Sequence, residues 1–172
     1  TRVVSDDQGY DYEYWSYPYG SYDQPDNPYV LFPVDIDPRR PPKERVLGIV
    51  SPPGEDPTGG RGLAFPFGEL AKAGKWAAVH ADFMGNGRVV FWDGDGEAAA
   101  AHLPLLDGEH LWFRATADGI VDEQTGSTWS VDGRAMEGPL AGKRLQPIAE
   151  SYAAFWFAWA AFQDQADLWF KR

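Results

Sequence analysis

The acidic turn Asp93-Gly-Asp95-Gly-Glu97 comes closer to a metal site than any other segment of the chain. Alternating carboxylates in a glycine-rich loop can wrap a hard cation such as calcium. The EF-hand pattern fails, because Ala98 stands where that loop requires glycine and Pro104 stands where it requires glutamate. Two interpretations stay open: an ordinary acidic turn between strands, and a calcium loop of another type whose ligands are Asp93, Asp95 and Glu97.

The three histidines are His80, His102 and His110, and none has the spacing of a helical metal-binding pair. A zinc site built from His80, His102 and a carboxylate would require strands to bring these residues together. The alternative is that all three are ordinary strand or turn histidines. The chain has no cysteine, which excludes thiolate metal ligands, cysteine nucleophiles and disulfides.

No segment of the sequence matches the motif of a catalytic nucleophile or of a phosphate-binding loop. Ser127 lacks the Gly-x-Ser-x-Gly elbow and the strand-to-helix context of a hydrolase serine. The segment Gly59-Gly-Arg-Gly62 lacks the Lys-Ser/Thr pair that cradles phosphate. Asp122 and Glu123 could form an acid/base pair, but Asp122 is better interpreted as an acceptor of backbone hydrogen bonds in the turn at Thr125-Gly126. The sequence therefore names no catalytic residue.

Tyrosine dominates the N-terminal region, residues 1–45. Tyrosine and tryptophan supply a large contact area with a polar tip, which is why both are enriched at protein interfaces. Prolines at positions 18, 25, 28 and 33 prevent a regular strand, so we predict an extended arm that ends in a Pro-rich connector. The arm could dock on a partner protein, stack on carbohydrate or wrap its own sheet. The candidate partner-binding residues are Tyr10, Tyr12, Tyr14, Trp15, Tyr17, Tyr19, Tyr22 and Tyr29.

The net charge of −11 and the isoelectric point of about 4.6 argue against a nucleic-acid partner, because phosphates require neutralising Lys and Arg. A basic protein surface or a cation is compatible with this charge, although an acidic balance also serves solubility alone. The longest apolar run, residues 152–162, is too short to span a bilayer, so no transmembrane helix is expected.

Short strands separated by glycine turns fill the region 46–172, which we predict to be one β-rich globular domain beside the arm and connector of residues 1–45. The expected class is mainly β (α+β): an antiparallel sheet or partly open barrel with one buried aromatic C-terminal helix. We expect a hairpin across Gly85-Asn86-Gly87, because Asn-Gly readily adopts positive φ angles. A short helix is expected at 67–73, and the C-terminal helix at 152–163 with Ser151 as its cap. Strands are expected at 46–50, 62–65, 75–82, 88–92, 97–103, 111–115, 119–122, 128–131 and 144–148.

Three segments in the last third carry a resemblance to a known family. They are Asp122-Glu-Gln-Thr-Gly-Ser-Thr-Trp129, Gly133-Arg-Ala-Met-Glu-Gly-Pro-Leu-Ala-Gly-Lys-Arg-Leu145 and Phe155-Trp-Phe-Ala-Trp159. Together with Pro41-Pro-Lys-Glu-Arg-Val-Leu-Gly-Ile49 and Ala64-Phe-Pro-Phe67, they resemble the prokaryotic domain-of-unknown-function family numbered three-one-seven-nine. The resemblance covers most of residues 38–170.

The resemblance implies an extracytoplasmic location, in the periplasm or at the cell surface, because family members are often exported or lipid-anchored. An anchor would lie in a segment removed ahead of Thr1. The family has no established catalytic residues. Many members carry a Cys-Pro-x-Cys-Gly segment after a Val-rich strand, whereas here Val89-Val-Phe-Trp92 is followed by Asp93-Gly-Asp-Gly96. Whatever thiol chemistry that segment performs, this chain lacks the residues for it.

These observations favour a non-enzymatic accessory or structural subunit that binds a protein partner, in an extracytoplasmic or membrane-associated complex. No cofactor is expected, and calcium is the one candidate. The alternative is a metal-dependent enzyme, or a calcium- or carbohydrate-binding module, that uses the Asp93–Glu97 turn.

Overall fold

The computed structural model describes residues 18–31, 33–52, 54–56 and 59–171. Within these ranges the chain forms short strands, two one-turn helices and many turns. The elements in chain order are β1 (Arg45–Val50), β2 (Arg61–Pro66), α1 (Phe67–Ala71), β3 (Trp76–Phe83), β4 (Asn86–Asp93), β5 (Ala98–His102), β6 (Leu105–Leu106), β7 (Glu109–His110), β8 (Phe113–Ala115), β9 (Ile120–Asp122), β10 (Thr128–Trp129), β11 (Ala135–Glu137), β12 (Ser151–Phe155), α2 (Trp156–Ala160) and β13 (Gln165–Leu168).

The strands form open sheets, which confirms the mainly β class. One sheet has the order β12-β1-β2-β13, a second β3-β4-β5, a third β11-β10-β9-β8, and β6 and β7 form a small hairpin. Neighbouring strands run antiparallel except β13, which pairs parallel to β2. Among the described strands no sheet closes on itself. Residues 18–31 and 33–44 contain turns and no strand, as expected for an arm; the division into domains at residue 45 stays a prediction.

Strands β1 and β4 are buried on both faces, and this stacks the sheets into layers. Leu47 on β1 and Val90 on β4 lie in the core between the first two sheets. Val89 and Phe91 face the opposite side of β4 and pack in the core shared with β8 to β11. Val46 faces the opposite side of β1 and packs with α2. Near-continuous apolar runs are typical of strands covered on both faces.

Helix α2 lies on β1 and β2 because two glycines leave room for its large side chain. Trp159 is only 1% exposed. A Cβ at Gly48 would lie 2.7 Å from Trp159 Cδ1 and nearer still to Nε1, and a Cβ at Gly62 would lie 2.7 Å from Cη2. The indole therefore occupies the volume that ordinary side chains would take on both strands. The aromatic C-terminal helix is buried as expected.

The beginning of that helix was predicted wrongly. Ser151–Phe155 forms β12, which pairs antiparallel with β1, and the helix runs only over Trp156–Ala160. Ser151 does not cap it; the N-cap position is Phe155, and Ser151 Oγ donates to the carbonyl of Ile148 at 2.8 Å. Pairing satisfies the backbone groups of β1 along an edge that would otherwise be open, and this outweighs the helical pattern of the sequence.

Three further expectations need correction. The region 144–148 forms only isolated bridges, at Arg144 and Pro147, rather than a strand. The hairpin between β3 and β4 turns at Met84-Gly85, both with positive φ, so Asn86 already pairs with Phe83. Strands β6, β7, β11 and β13 were not predicted, because each is short and lacks an alternating pattern. The remaining strands agree with expectation to within a few residues.

Candidate functional site

A large cavity lies between the arm, α1 and the turn that joins β4 to β5. We call it the arm cleft, and its volume is about 1060 Å³. It brings together the two features that the sequence singled out, the N-terminal arm and the Asp93–Glu97 turn. Its lining carries five carboxylates, three cationic side chains and three aromatic rings: Asp23, Asp26, Glu44, Asp95, Glu97, Lys43, Arg45, Lys75, Phe67, Trp92 and Phe155.

Lys43 fastens the arm wall of the cleft to the rest of the domain. Its side chain is 1% exposed, its Nζ donates to the backbone carbonyl of Tyr29, and the ammonium lies 3.4 Å from the ring centroid of Tyr22. The backbone N–H of Lys43 donates to the carbonyl of Pro25 at 3.1 Å. Desolvation lowers the pKa of Lys43, and the charge of Asp23 opposes that shift. A buried cation thus holds the arm by contacts to its backbone and to one ring.

Arg40 anchors the connector behind the cleft. Its guanidinium binds both carboxylate oxygens of Glu44 at 2.6 Å, and it reaches Glu69 on α1 at 3.0 Å. Glu69 also accepts from Lys72 at 2.7 Å, and these bonds hold its pKa below the usual value despite burial. Glu44 Oε1 accepts from the backbone N–H of Gly68 at 3.1 Å. The planar fork of arginine suits this bidentate arrangement.

The Asp93–Glu97 turn forms the opposite wall, and its carboxylates point to different partners. Asp93 Oδ1 accepts from the backbone N–H of Asp95 at 3.0 Å and of Gly96 at 3.3 Å. Asp95 pairs with Lys75 at 2.6 Å, and Glu97 pairs with Arg45. Within the described residues no three His, Asp or Glu side chains gather where they could hold a metal ion.

The floor of the cleft contains an indole with an unused hydrogen-bond donor. Trp92 is 2% exposed and packs edge-on against Phe67 at 5.0 Å between ring centroids. The guanidinium of Arg45 lies over Phe67 at 4.9 Å. Trp92 Nε1 has no acceptor among the residues that the structure describes, and a Cβ at Gly94 would lie 3.4 Å from it. The Nε1 atom itself is buried, and the Cβ position of Gly94 also lies 3.1 Å from the carbonyl oxygen of Lys75.

The histidines do not assemble a site. His80 Nε2 accepts from the backbone N–H of Phe113 at 2.9 Å, and His80 and His110 each lie within 5 Å, between ring centroids, of the exposed Trp112. His102 is buried elsewhere, with Nε2 2.8 Å from the carbonyl of Val131 and with Nδ1 unpartnered. Burial lowers the pKa of His80 and of His102. Both rings use one nitrogen to hold a loop or strand in place.

Ser127 and Asp122 belong to a buried network that shapes the turn between β9 and β10. Asp122 accepts from the backbone N–H of Thr125 at 2.6 Å and from Trp129 Nε1 at 3.0 Å. Burial raises the pKa of Asp122, but the hydrogen bonds from Trp129 and Thr125 outweigh this and hold it below the usual value. Ser127 is fully buried, and its Oγ accepts from the backbone N–H of Leu140 at 3.0 Å. The predicted turn role of Asp122 is confirmed.

The described tyrosines of the arm differ in exposure. Tyr19 and Tyr29 are 64% and 63% exposed, whereas Tyr22 is half-buried over Lys43. Tyr10, Tyr12, Tyr14, Trp15 and Tyr17 lie outside the described residues. Sequence reasoning missed Lys43, Arg40 and Trp92, since isolated residues in a Pro-rich connector and an apolar strand carry no periodic signal.

Residues 1–166 match the family described as "Protein of unknown function (DUF3179)". The chain belongs to the DUF3179 family. In this DUF3179 chain the segment in which the resemblance places cysteines is the Asp93–Glu97 wall of the arm cleft. Comparison with curated proteins and with solved structures found no match. Neither described helix of this DUF3179 chain has the length and apolar character needed to cross a membrane.

Proposed function

We propose that this chain is a non-enzymatic accessory subunit that binds a protein partner through its N-terminal arm, in an extracytoplasmic or membrane-associated complex. The observation that carries the proposal is the outward orientation of the arm's apolar side chains. Tyr19, Tyr29 and Leu31 are 64%, 63% and 58% exposed, although the arm backbone is fastened by Lys43. An arm that served only to cover its own sheet would bury these groups.

The chemistry of the arm suits an interface. Tyrosines lose little conformational entropy on binding and combine an apolar ring with a hydroxyl, so they often dominate binding energy. The net charge of −11 would steer a basic partner towards this surface. The two clusters that look most like acid/base chemistry, Asp122 with Ser127 and Arg40 with Glu69, consist of buried groups that hold a turn and the connector. This supports the non-enzymatic part of the proposal.

The test compares two sets of equally exposed apolar residues. In the arm variant, Tyr19, Tyr29 and Leu31 become alanine; in the control variant, Leu105 and Met136, which are 50% and 56% exposed, become alanine. A stoichiometric partner is purified with the wild-type chain from the producing cells, identified by mass spectrometry, and titrated against each variant. The arm variant should bind about 100-fold more weakly and the control variant should bind like wild type.

Equal affinity of the wild-type chain and the arm variant would refute arm docking, and so would a wild-type chain that purifies alone. Both variants should keep the wild-type unfolding midpoint, because exposed side chains contribute little to stability. Cell fractionation tests the location separately, since recovery in the cytoplasm would contradict that part of the proposal.

A further inference from the structure

The hydrogen bond that joins β3 to β8 requires a neutral histidine. His80 Nε2 accepts from the backbone N–H of Phe113 at 2.9 Å. Because a backbone N–H can only donate, Nε2 of His80 must offer a lone pair, and the proton of the neutral ring must lie on Nδ1. A protonated imidazole donates from both nitrogens and offers no acceptor to Phe113. This hydrogen bond therefore exists in one protonation state alone.

Within the described residues no other hydrogen bond joins β3 to β8. The two strands belong to different sheets, β3-β4-β5 and β11-β10-β9-β8, so no ladder of backbone bonds connects them. The rest of the contact is made by rings: His80 stacks on Phe113 at 6.0 Å between ring centroids, and Phe113 packs edge-on against Phe91 at 5.0 Å. The imidazole of His80 is therefore the polar link between these strands of two stacked sheets.

The segment that His80 holds also carries the half-exposed Trp112. The indole of Trp112 is 52% exposed, and its ring centroid lies 4.8 Å from that of His80 and 4.7 Å from that of His110. Gln124 holds the same segment from the other side, because its Oε1 accepts from the backbone N–H of Trp112 at 3.1 Å and its Nε2 donates to the carbonyl of His110 at 3.2 Å. Loss of the bond to Phe113 would therefore remove one of few polar contacts of this segment.

The groups that act on the charge of His80 come from several elements. Burial is the main reason why the pKa of His80 lies below its usual value of 6.5. His110 on β7, with its ring centroid 6.4 Å away, lowers this pKa further, and Glu123 after β9 opposes the shift. The ring is accordingly neutral at neutral pH, as the bond from Phe113 requires.

Four more charged side chains lie on β3 and on the segments around it. Asp82 on β3 itself accepts from the backbone N–H of Gly85 at 2.9 Å, and Arg88 on β4 donates to the carbonyl of Gly87 at 3.0 Å. Arg114 on β8 is exposed, and the exposed Lys171 after β13 lines a groove together with His80. A positive charge at His80 therefore meets cations as well as carboxylates.

We infer that protonation of His80 under mildly acidic conditions releases Phe113 and detaches β8 from β3, which makes this contact a pH-sensitive link between two sheets. Once the ring is protonated, the N–H of Phe113 loses its acceptor and Nε2 presents a second donor to it. Both donors can regain partners in water, so the segment that carries Trp112 moves away from β3. The link requires no ligand, and it does not depend on the proposed function.

The experiment follows the full chain by NMR as the pH is lowered. Imidazole ¹⁵N spectra report the tautomer, and at neutral pH His80, assigned by the resonances that His80→Gln removes, should carry its proton on Nδ1. On acidification the hydrogen-exchange protection of the Phe113 amide should fall by at most about tenfold per pH unit, because one proton is taken up. The amide of Val90, in the buried strand β4, is the internal reference that separates local release from global unfolding.

Three matched variants assign the effect to one histidine. His80→Gln keeps an acceptor oxygen for Phe113 and cannot titrate, so the protection of that amide should no longer depend on pH. His110→Gln removes a neighbouring group that lowers the pKa of His80, so release should persist and begin at a higher pH. His102→Gln should leave release unchanged, because His102 bonds to the carbonyl of Val131 elsewhere in the core.

Several outcomes would overturn the inference. A proton on Nε2 of His80 at neutral pH would do so by itself, and this measurement on the wild-type chain holds even where a variant does not fold. Protection of the Phe113 amide that follows that of Val90 at every pH would also refute it. So would a release that survives His80→Gln or one that disappears in His102→Gln.

Discussion

Replacing Gly48 with alanine should destabilise the domain more than any exposed substitution, because the indole of Trp159 already occupies the space for the Cβ. The new atom would lie 2.7 Å from Trp159 Cδ1 and nearer to Nε1, well inside van der Waals contact. The indole is 1% exposed and has no free volume to enter, so β1 or α2 must shift. Overpacking of this kind costs about 1–3 kcal/mol and occasionally more, and we expect the upper end, about 3 kcal/mol.

Urea unfolding followed by tryptophan fluorescence measures this cost, with the slope checked for two-state behaviour. Gly87→Ala is the matched control, since Gly87 also lies in a strand but a Cβ there would have its nearest neighbouring atoms 4.0 Å away. That change should alter the unfolding free energy by less than about 1 kcal/mol. The cost of Gly48→Ala should also shrink in a Trp159→Phe background, because the smaller ring removes part of the overlap. Equal costs for the two glycine substitutions, or an undiminished cost beside Phe, would refute this account of how α2 packs.

Two further predictions concern the buried polar groups. Arg40→Lys should lower the unfolding free energy by about 1–3 kcal/mol in urea titrations, because lysine cannot bind Glu44 through two nitrogens and reach Glu69 as well. The exposed Arg114→Lys is the control, and an equally small loss of unfolding free energy in both variants would contradict the prediction. Burial lowers the pKa of His102 from its usual 6.5, so the unfolded chain takes up a proton at a higher pH than the folded chain does. The unfolding free energy should therefore fall as the pH drops below about 6.5, by at most about 1.4 kcal/mol per pH unit. His102→Gln keeps a donor for the Val131 carbonyl and cannot titrate, so it should flatten this part of the wild-type curve; parallel curves would refute the assignment.

Among the strands that sequence reasoning located, two have apolar runs that indicate burial on both faces. Val46–Val50 and Val89–Trp92 are of this kind, and the glycine turns between them are legible from residue type. The segment Ser151–Phe155 was misassigned because Tyr152 and Phe155 fit a helical period as well as they fit a strand. Only the vacant edge of β1, a tertiary feature, decides between the two.

Only part of the candidate site could be predicted from the sequence, for a similar reason. Clusters of one residue type, such as the arm tyrosines and the Asp93–Glu97 carboxylates, can be recognised in the sequence. Asp95 and Glu97 line the cleft, and Tyr22 packs on Lys43 in its wall. The burial of Trp92 Nε1 beside Gly94 is not visible in the sequence, because it depends on how the turn after β4 folds back over the strand. In the sequence Lys43 is one residue of a Pro-rich connector, and only packing reveals it as a buried anchor.

The Pro-rich connector is held by α2 and β13, which come much later in the sequence, and this constrains the order in which these contacts can form. Arg39 donates to the carbonyl of Ala166 at 2.8 Å, and the indole and backbone N–H groups of Trp156 donate to the carbonyls of Asp37 and Glu44 at 2.9 and 2.8 Å. Contacts between such distant positions form slowly, because a long loop must close first. During synthesis the connector emerges before these partners, so its contacts to Trp156 and Ala166 can form only after those residues have been made. The connector behind the arm cleft is therefore closed by contacts that span 119 and 127 residues of sequence.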